Sequence, residues 1–122
     1  MKENKQVIEN IERAVSAGDE LLVDPIAYYE VRRGLMAIDS KRRLEKFEEF
    51  FRMFGVGRLE NDILDIAAEI YVDLRKIGRL TGDADILMAA YCKRHGFTLA
   101  TNNVKHFDSI VGLSIVDWTF TP

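Results

Sequence analysis

Residues 82–103 read Gly82-Asp-Ala-Asp-Ile-Leu-Met-Ala-Ala-Tyr-Cys-Lys-Arg-His-Gly-Phe-Thr-Leu-Ala-Thr-Asn-Asn103. Two acids open the stretch, and Gly96 follows His95. Acids in a first turn, a cation in the last and a glycine behind it are helix start and stop signals. They predict a helix over Asp83–His95, with Asp83 able to serve as its cap. The middle of that helix, Ile86–Cys92, is apolar almost all round and therefore belongs in a deep core. Phe97-Thr-Leu-Ala100 then reads as a strand that ends in the polar Thr101-Asn-Asn103. A buried helix leading directly into a strand is a unit of a parallel α/β sheet.

The pattern continues on both sides. Leu113–Trp118 reads as a further strand, after a turn around Lys105–Ser109. Upstream, Asn61 opens an amphipathic helix with Ile63, Ile66, Ala67, Ile70, Leu74 and Ile77 facing inward, and Gly78 stops it. Ser40 caps a helix carrying Leu44, Phe47, Phe50, Phe51 and Phe54, a stripe suited to a core or a partner-facing surface. Met53–Leu59 is ambiguous, with Val56 in a weak edge strand. Asp24-Pro25 is an N-cap followed by proline at the first helical position, opening a helix through Glu30 towards Leu35 and Met36. Leu21–Val23 before it reads as a short buried strand. Lys5–Ala17 places Val7, Ile8, Ile11 and Val15 on one helical face, with Gly18 as a stop. Few strands accompany this many helices.

Composition narrows the class. The 122 residues hold one modest core, so a single domain over 1–122 is expected. At 48% hydrophobic and 30% charged the chain is an ordinary globular one, which excludes wholesale disorder. Ile86–Cys92 is the longest apolar run and is too short to span a bilayer. The amino terminus has no apolar signal core. One cysteine forms no internal disulfide, and with two histidines it builds no structural zinc site. A cytoplasmic protein is expected. The net charge of −3 disfavours a passive nucleic-acid binder, which usually carries a basic excess. It does not disfavour a nuclease whose acids hold a metal ion against phosphate.

Ligands of open parallel sheets bind beyond the carboxyl ends of the strands. The polar residues expected at that edge are Glu30, Asp83, Asp85, Asn102 and Asn103. Carboxylates with an amide oxygen and waters suit Mg²⁺ or Mn²⁺. Each residue also has an ordinary reading. Acids at a helix start complement its dipole. Glu30 fits a solvated helix face. Asn pairs are turn chemistry. Arg32, Arg33, Arg75, Lys76, Arg79 and Lys105 are candidate phosphate contacts or a plain basic surface.

Four stretches together resemble the PIN-domain family, in particular its VapC-type ribonuclease toxins. They are Pro25-Ile-Ala-Tyr-Tyr-Glu-Val-Arg-Arg-Gly-Leu35, Gly82-Asp-Ala-Asp-Ile-Leu-Met-Ala-Ala90, Leu99-Ala-Thr-Asn-Asn-Val-Lys-His-Phe107 and Gly112-Leu-Ser-Ile-Val-Asp-Trp118. The resemblance implies an α/β/α fold around a short parallel sheet and metal-dependent cleavage of RNA. It places Glu30, Asp85 and Asn103 in the catalytic and metal-binding roles with Mg²⁺ or Mn²⁺. Asp83 and Asn102 become supplementary ligands or supports, and Arg32, Arg33 and Lys105 weak RNA contacts. It also implies a small VapB-like antitoxin that blocks the site.

One departure stands out. The family opens on a central strand ending in an Asp-x-Asn type motif, whose aspartate is a principal metal ligand. Here Met1 falls inside what the resemblance makes the first helix, so that central first strand and its aspartate are expected to be missing. Exposed sheet edges then invite pairing of Leu21–Val23 with Phe97–Thr101, or exchange within a homodimer. Weakened activity is expected. The alternatives are a non-catalytic PIN-like module that binds an antitoxin or RNA, or dimerises, and an unrelated α/β protein whose acids are caps.

Overall fold

A computed structural model describes residues 22–101 and 103–117. The helix expected over Lys5–Ala17 lies outside the described residues, as do Leu21, Asn102 and Trp118. The chain divides into two compact units, the first ending at Arg58 and the second beginning at Leu59.

In the first unit Val23 and Val56 form a single parallel bridge. Val23 N donates to Gly55 O at 3.0 Å, and Gly57 N donates to Val23 O at 3.0 Å. The edge strand expected around Val56 is thus one residue of pairing. Helix α1 spans Pro25–Ala37, and its cap is Asp24, whose side chain accepts from Ile26 N and Ala27 N. Helix α2 spans Lys41–Phe54 and is capped by Ser40, which accepts from Arg43 N. Both caps were legible because a short polar side chain satisfies first-turn N–H groups that have no intrahelical partner. The two helices close over Leu35, Phe47 and Phe51, with Val23, Tyr28, Val31 and Leu44 packed against them. Phe47 and Phe51 meet edge to face at 4.7 Å between ring centroids, a favoured aromatic geometry. The phenylalanine stripe therefore splits: Phe47 and Phe51 are core, whereas Phe50 is exposed and meets Phe54 ring to ring on the outer side.

The second unit holds the larger core. Helix α3, Asn61–Lys76, buries Ile63, Ala67, Ile70 and Leu74, a spacing of four, three and four that makes one helical stripe. Burial of each large aliphatic side chain here contributes about 1.5–3 kcal/mol. Ile77, expected to face inward, is 59% exposed. The helix ends one residue before it, at Lys76, so the buried stripe stops at Leu74. Helix α4 spans Asp83–His95 and buries Ile86, Ala89, Ala90, Tyr91 and Cys92. Arg94 bonds Asp62 and so ties the end of α4 to the start of α3. Gly82, with no side-chain bond, is the N-cap of α4, so Asp83 is not the cap that its position suggested.

Gly96 closes α4 in the left-handed conformation at φ 69°. Phe97 N then donates to Cys92 O at 2.9 Å. A Cβ at Gly96 would meet open space, so the cost of replacing it is purely conformational. Gly96→Ala is expected to lower stability by about 1–2 kcal/mol, read as a shift in the urea midpoint with an unchanged slope.

Strand β1, Thr98–Ala100, pairs in parallel with β2, Ser114–Val116, with Leu99 opposite Ile115. The strands join through residues 101–113, and a parallel crossover needs about a dozen residues. That connection carries the 3-10 turn Val104–His106 and is anchored by Phe107 and Ile110, both buried in the same core as α3 and α4. The described residues thus form an α/β fold of four helices and a short two-stranded parallel sheet. No described helix is long and apolar enough to cross a membrane.

Candidate active site

Asp85 sits in the first turn of α4, where the N-terminal end of the helix dipole favours a negative charge. Its Oδ2 receives two bonds. Thr81 Oγ1, in the loop before the helix, donates at 3.1 Å. His106 Nδ1, at the end of the 3-10 turn, lies 2.9 Å away. A carboxylate only accepts, so Nδ1–H is the donor and Nε2 is the ring's remaining polar atom. The Asp85 side chain is 22% exposed while that of His106 is 53% exposed. The carboxylate is thus held at the surface by two donors, fixed but not sealed.

Asn103 leads into the 3-10 turn. Its backbone N–H donates to Thr101 Oγ1 at 3.0 Å, while its side chain makes no capping bond. Asp83 is exposed two residues before Asp85. The second unit therefore carries Asp83, Asp85 and Asn103 on the α4 start and the segment that follows β1. Glu30 belongs to the first unit, on α1, where Arg33 Nη2 lies 3.7 Å from its Oε2. The other arginine proposed to meet RNA, Arg32, bonds Glu48 at 3.2 Å. Both arginines are thus partly committed to acids of their own unit. Lys105 is exposed.

Beside Glu30 on the same unit, Asp24 is 9% exposed. Its Oδ1 accepts from Ile26 N at 2.8 Å, but its Oδ2 is buried with no hydrogen-bond partner among the described residues. Burial pushes this carboxyl up to about 6 against the lowering effect of the cap bonds, and the charge of Glu30 adds to the rise.

Among the described residues no three His, Cys, Asp or Glu side chains stand together as a ready-made metal cage. Mg²⁺ does not require one, since it keeps several waters and commonly takes one or two carboxylates. Within the second unit the oxygen donors of Asp85, Asp83 and Asn103 are of the kind a hard cation takes, and the Glu30 carboxylate in the first unit is of the same kind. Sequence reading passed over Thr81 and His106. A histidine 21 residues from its partner leaves no periodic signal, and only the fold brings the two together.

The chain belongs to the PIN domain family, whose model matches residues 2–113. Within the family it is of the VapC type. It is 35% identical over 115 residues to ribonuclease VapC2 of Haemophilus influenzae, covering 93% of this chain and 87% of that one. To ribonuclease VapC1 of Methanocaldococcus jannaschii it is 31% identical over 94 residues, 75% of this chain and 67% of that one. Among solved structures, VapBC-1 from nontypeable Haemophilus influenzae superposes with a TM-score of 0.80 at 25% identity, covering 95% of this chain and 87% of that chain.

Proposed function

We propose that this protein is a metal-dependent endoribonuclease of the VapC toxin type, hydrolysing phosphodiester bonds of RNA. The observation that supports it most is the Asp85 carboxylate, held at the start of α4 by Thr81 and His106 in a chain whose relatives are named ribonucleases. Asp85 and Glu30 hold Mg²⁺ or Mn²⁺ in this reading, with Asp83 and Asn103 as further oxygen donors. The cation supplies Lewis acidity towards the phosphodiester and its attacking water. Thr81 and His106 orient the Asp85 carboxylate, as partners behind a metal ligand commonly do. The activity is expected to be low, because Asn103 brings no charge to the set.

The partner is a VapB-like antitoxin, a reading supported by the relative solved as a VapBC assembly. Two copies of the chain are proposed to pair in the cytoplasm, using apolar side chains such as Phe50 and Met53 that α2 leaves exposed. A monomeric mass in light scattering at micromolar concentration would count against the dimer.

The function is tested on a fluorogenic RNA. Cleavage is expected with Mn²⁺ or Mg²⁺ and is expected to stop with EDTA and return on readdition of the metal. A folded sample that cuts under no metal condition would leave the non-catalytic reading, a module that binds antitoxin or RNA.

A further inference from the structure

Two residues that hold Asp85 also line a polar cleft of about 290 Å³. Its walls are Gly78, Arg79, Leu80, Thr81, Lys105, His106 and Ser109. The turn after α3 supplies one side and the turn after β1 the other. We propose that this cleft is a subsite for a backbone phosphate of single-stranded RNA, adjoining Asp85 and distinct from it. The proposal rests on the ribonuclease reading for its ligand but not for its test.

Charge and chemistry carry the assignment. Arg32, Arg33 and Arg94 are each paired with an acid. Arg79 and Lys105 have no ion pair among the described residues, and both face one cleft. Two acids touch the lining: Asp85 is taken up by Thr81 and His106, and Asp108 Oδ1 accepts from Ser109 Oγ at 3.4 Å. Two unpaired cations with the Thr81 and Ser109 hydroxyls match the oxygens of a phosphate, which takes charge-assisted hydrogen bonds. Leu80 is the one large apolar side chain on the wall, no Phe, Tyr or Trp lies there, and the one ring, His106, is bonded to Asp85, so the cleft is built more for a phosphate than for stacked bases. Its volume falls at the small end of the ~300–1,000 Å³ of ligand pockets, which suits a phosphate and its sugar. Phosphate contacts position a strand without reading its sequence.

The test measures binding of a fluorescent single-stranded RNA by anisotropy, in EDTA so that no strand is cut, over a range of salt concentrations. Three full-length proteins are compared: wild type, Arg79→Ala/Lys105→Ala, and Arg42→Ala/Arg43→Ala, which removes equal charge from α2. The cleft variant is expected to bind more weakly and to lose about 0.7 from the slope of log K against log salt, the value of one single-strand phosphate. Equal losses in both variants, or none in either, would overturn the proposal. In a second arm, inorganic phosphate at fixed pH is expected to shift the Ser109 amide in NMR spectra of wild type and not of the cleft variant. A response to phosphate with an unchanged RNA slope would make the cleft an anion site only and overturn the RNA assignment. Binding intact in a protein that never cuts would instead defeat the proposed function and leave this subsite standing.

Discussion

Asp85→Asn is expected to lower metal-dependent RNA cleavage by more than about 100-fold while the protein stays folded. The magnitude follows from position: loss of a partner behind a metal ligand typically costs about 10–100-fold, so loss of the ligand's own charge costs more. The variant is close to isosteric. An Asn side-chain oxygen can still accept from Thr81 and His106, the two donors that meet on Asp85 Oδ2, and what disappears is the negative charge. At a helix start that charge contributes about 0.3–1 kcal/mol to stability, so the unfolding midpoint should move little. The assay is initial rate on the fluorogenic RNA with saturating Mn²⁺, beside urea unfolding of the same samples. Unchanged cleavage with a slightly destabilised helix would return Asp85 to the role of a dipole-compensating acid. His106→Ala separates the two roles further: it leaves the charge and removes one donor, so a drop of about 10–100-fold is expected, partly recovered by raising the metal concentration.

The sequence was most readable where one residue sets a local outcome. Asp24 and Ser40 cap their helices because each presents an oxygen to first-turn N–H groups, a bond made within three residues. The α3 stripe and the burial of the middle of α4 follow from the apolar pattern alone. The stripe failed at its end, at Ile77, because periodicity says which residues share a face and not how far along the helix its neighbours cover that face. Asp83 illustrates a second limit: an acid in the first turn satisfies the dipole without bonding the backbone, and composition cannot tell that from a cap. At the candidate site, Asp85 was visible as a second acid beyond what a cap requires. Its neighbours were not, because Thr81 reaches it from the loop before α4 and His106 from a turn anchored by the buried Phe107 and Ile110.

Asp24 should make the protein less stable as pH rises from about 4 to about 6. Its carboxyl ordinarily titrates at 3.8 and in the folded chain is pushed up to about 6. Between those values the folded state keeps a proton that the unfolded chain releases, so unfolding is favoured as pH rises. Below 3.8 both states are protonated and the folded state holds its full advantage; above about 6 both are ionised and the advantage is gone. A rise of about two pKa units corresponds to about 3 kcal/mol at most. The physical source is Oδ2, buried without a hydrogen-bond partner among the described residues, while Oδ1 caps α1. Two substitutions separate those halves. Asp24→Asn keeps a capping oxygen and removes the ionisation, so it should flatten the pH dependence over this window. Asp24→Ala also flattens it but loses the cap, and should be less stable than Asp24→Asn by about 1 kcal/mol at every pH. Urea unfolding of the three proteins at pH 4, 5, 6 and 7 provides the comparison. A wild-type stability that rises over this range, with the same rise in Asp24→Asn, would show that other carboxylates govern it and that the buried oxygen finds water.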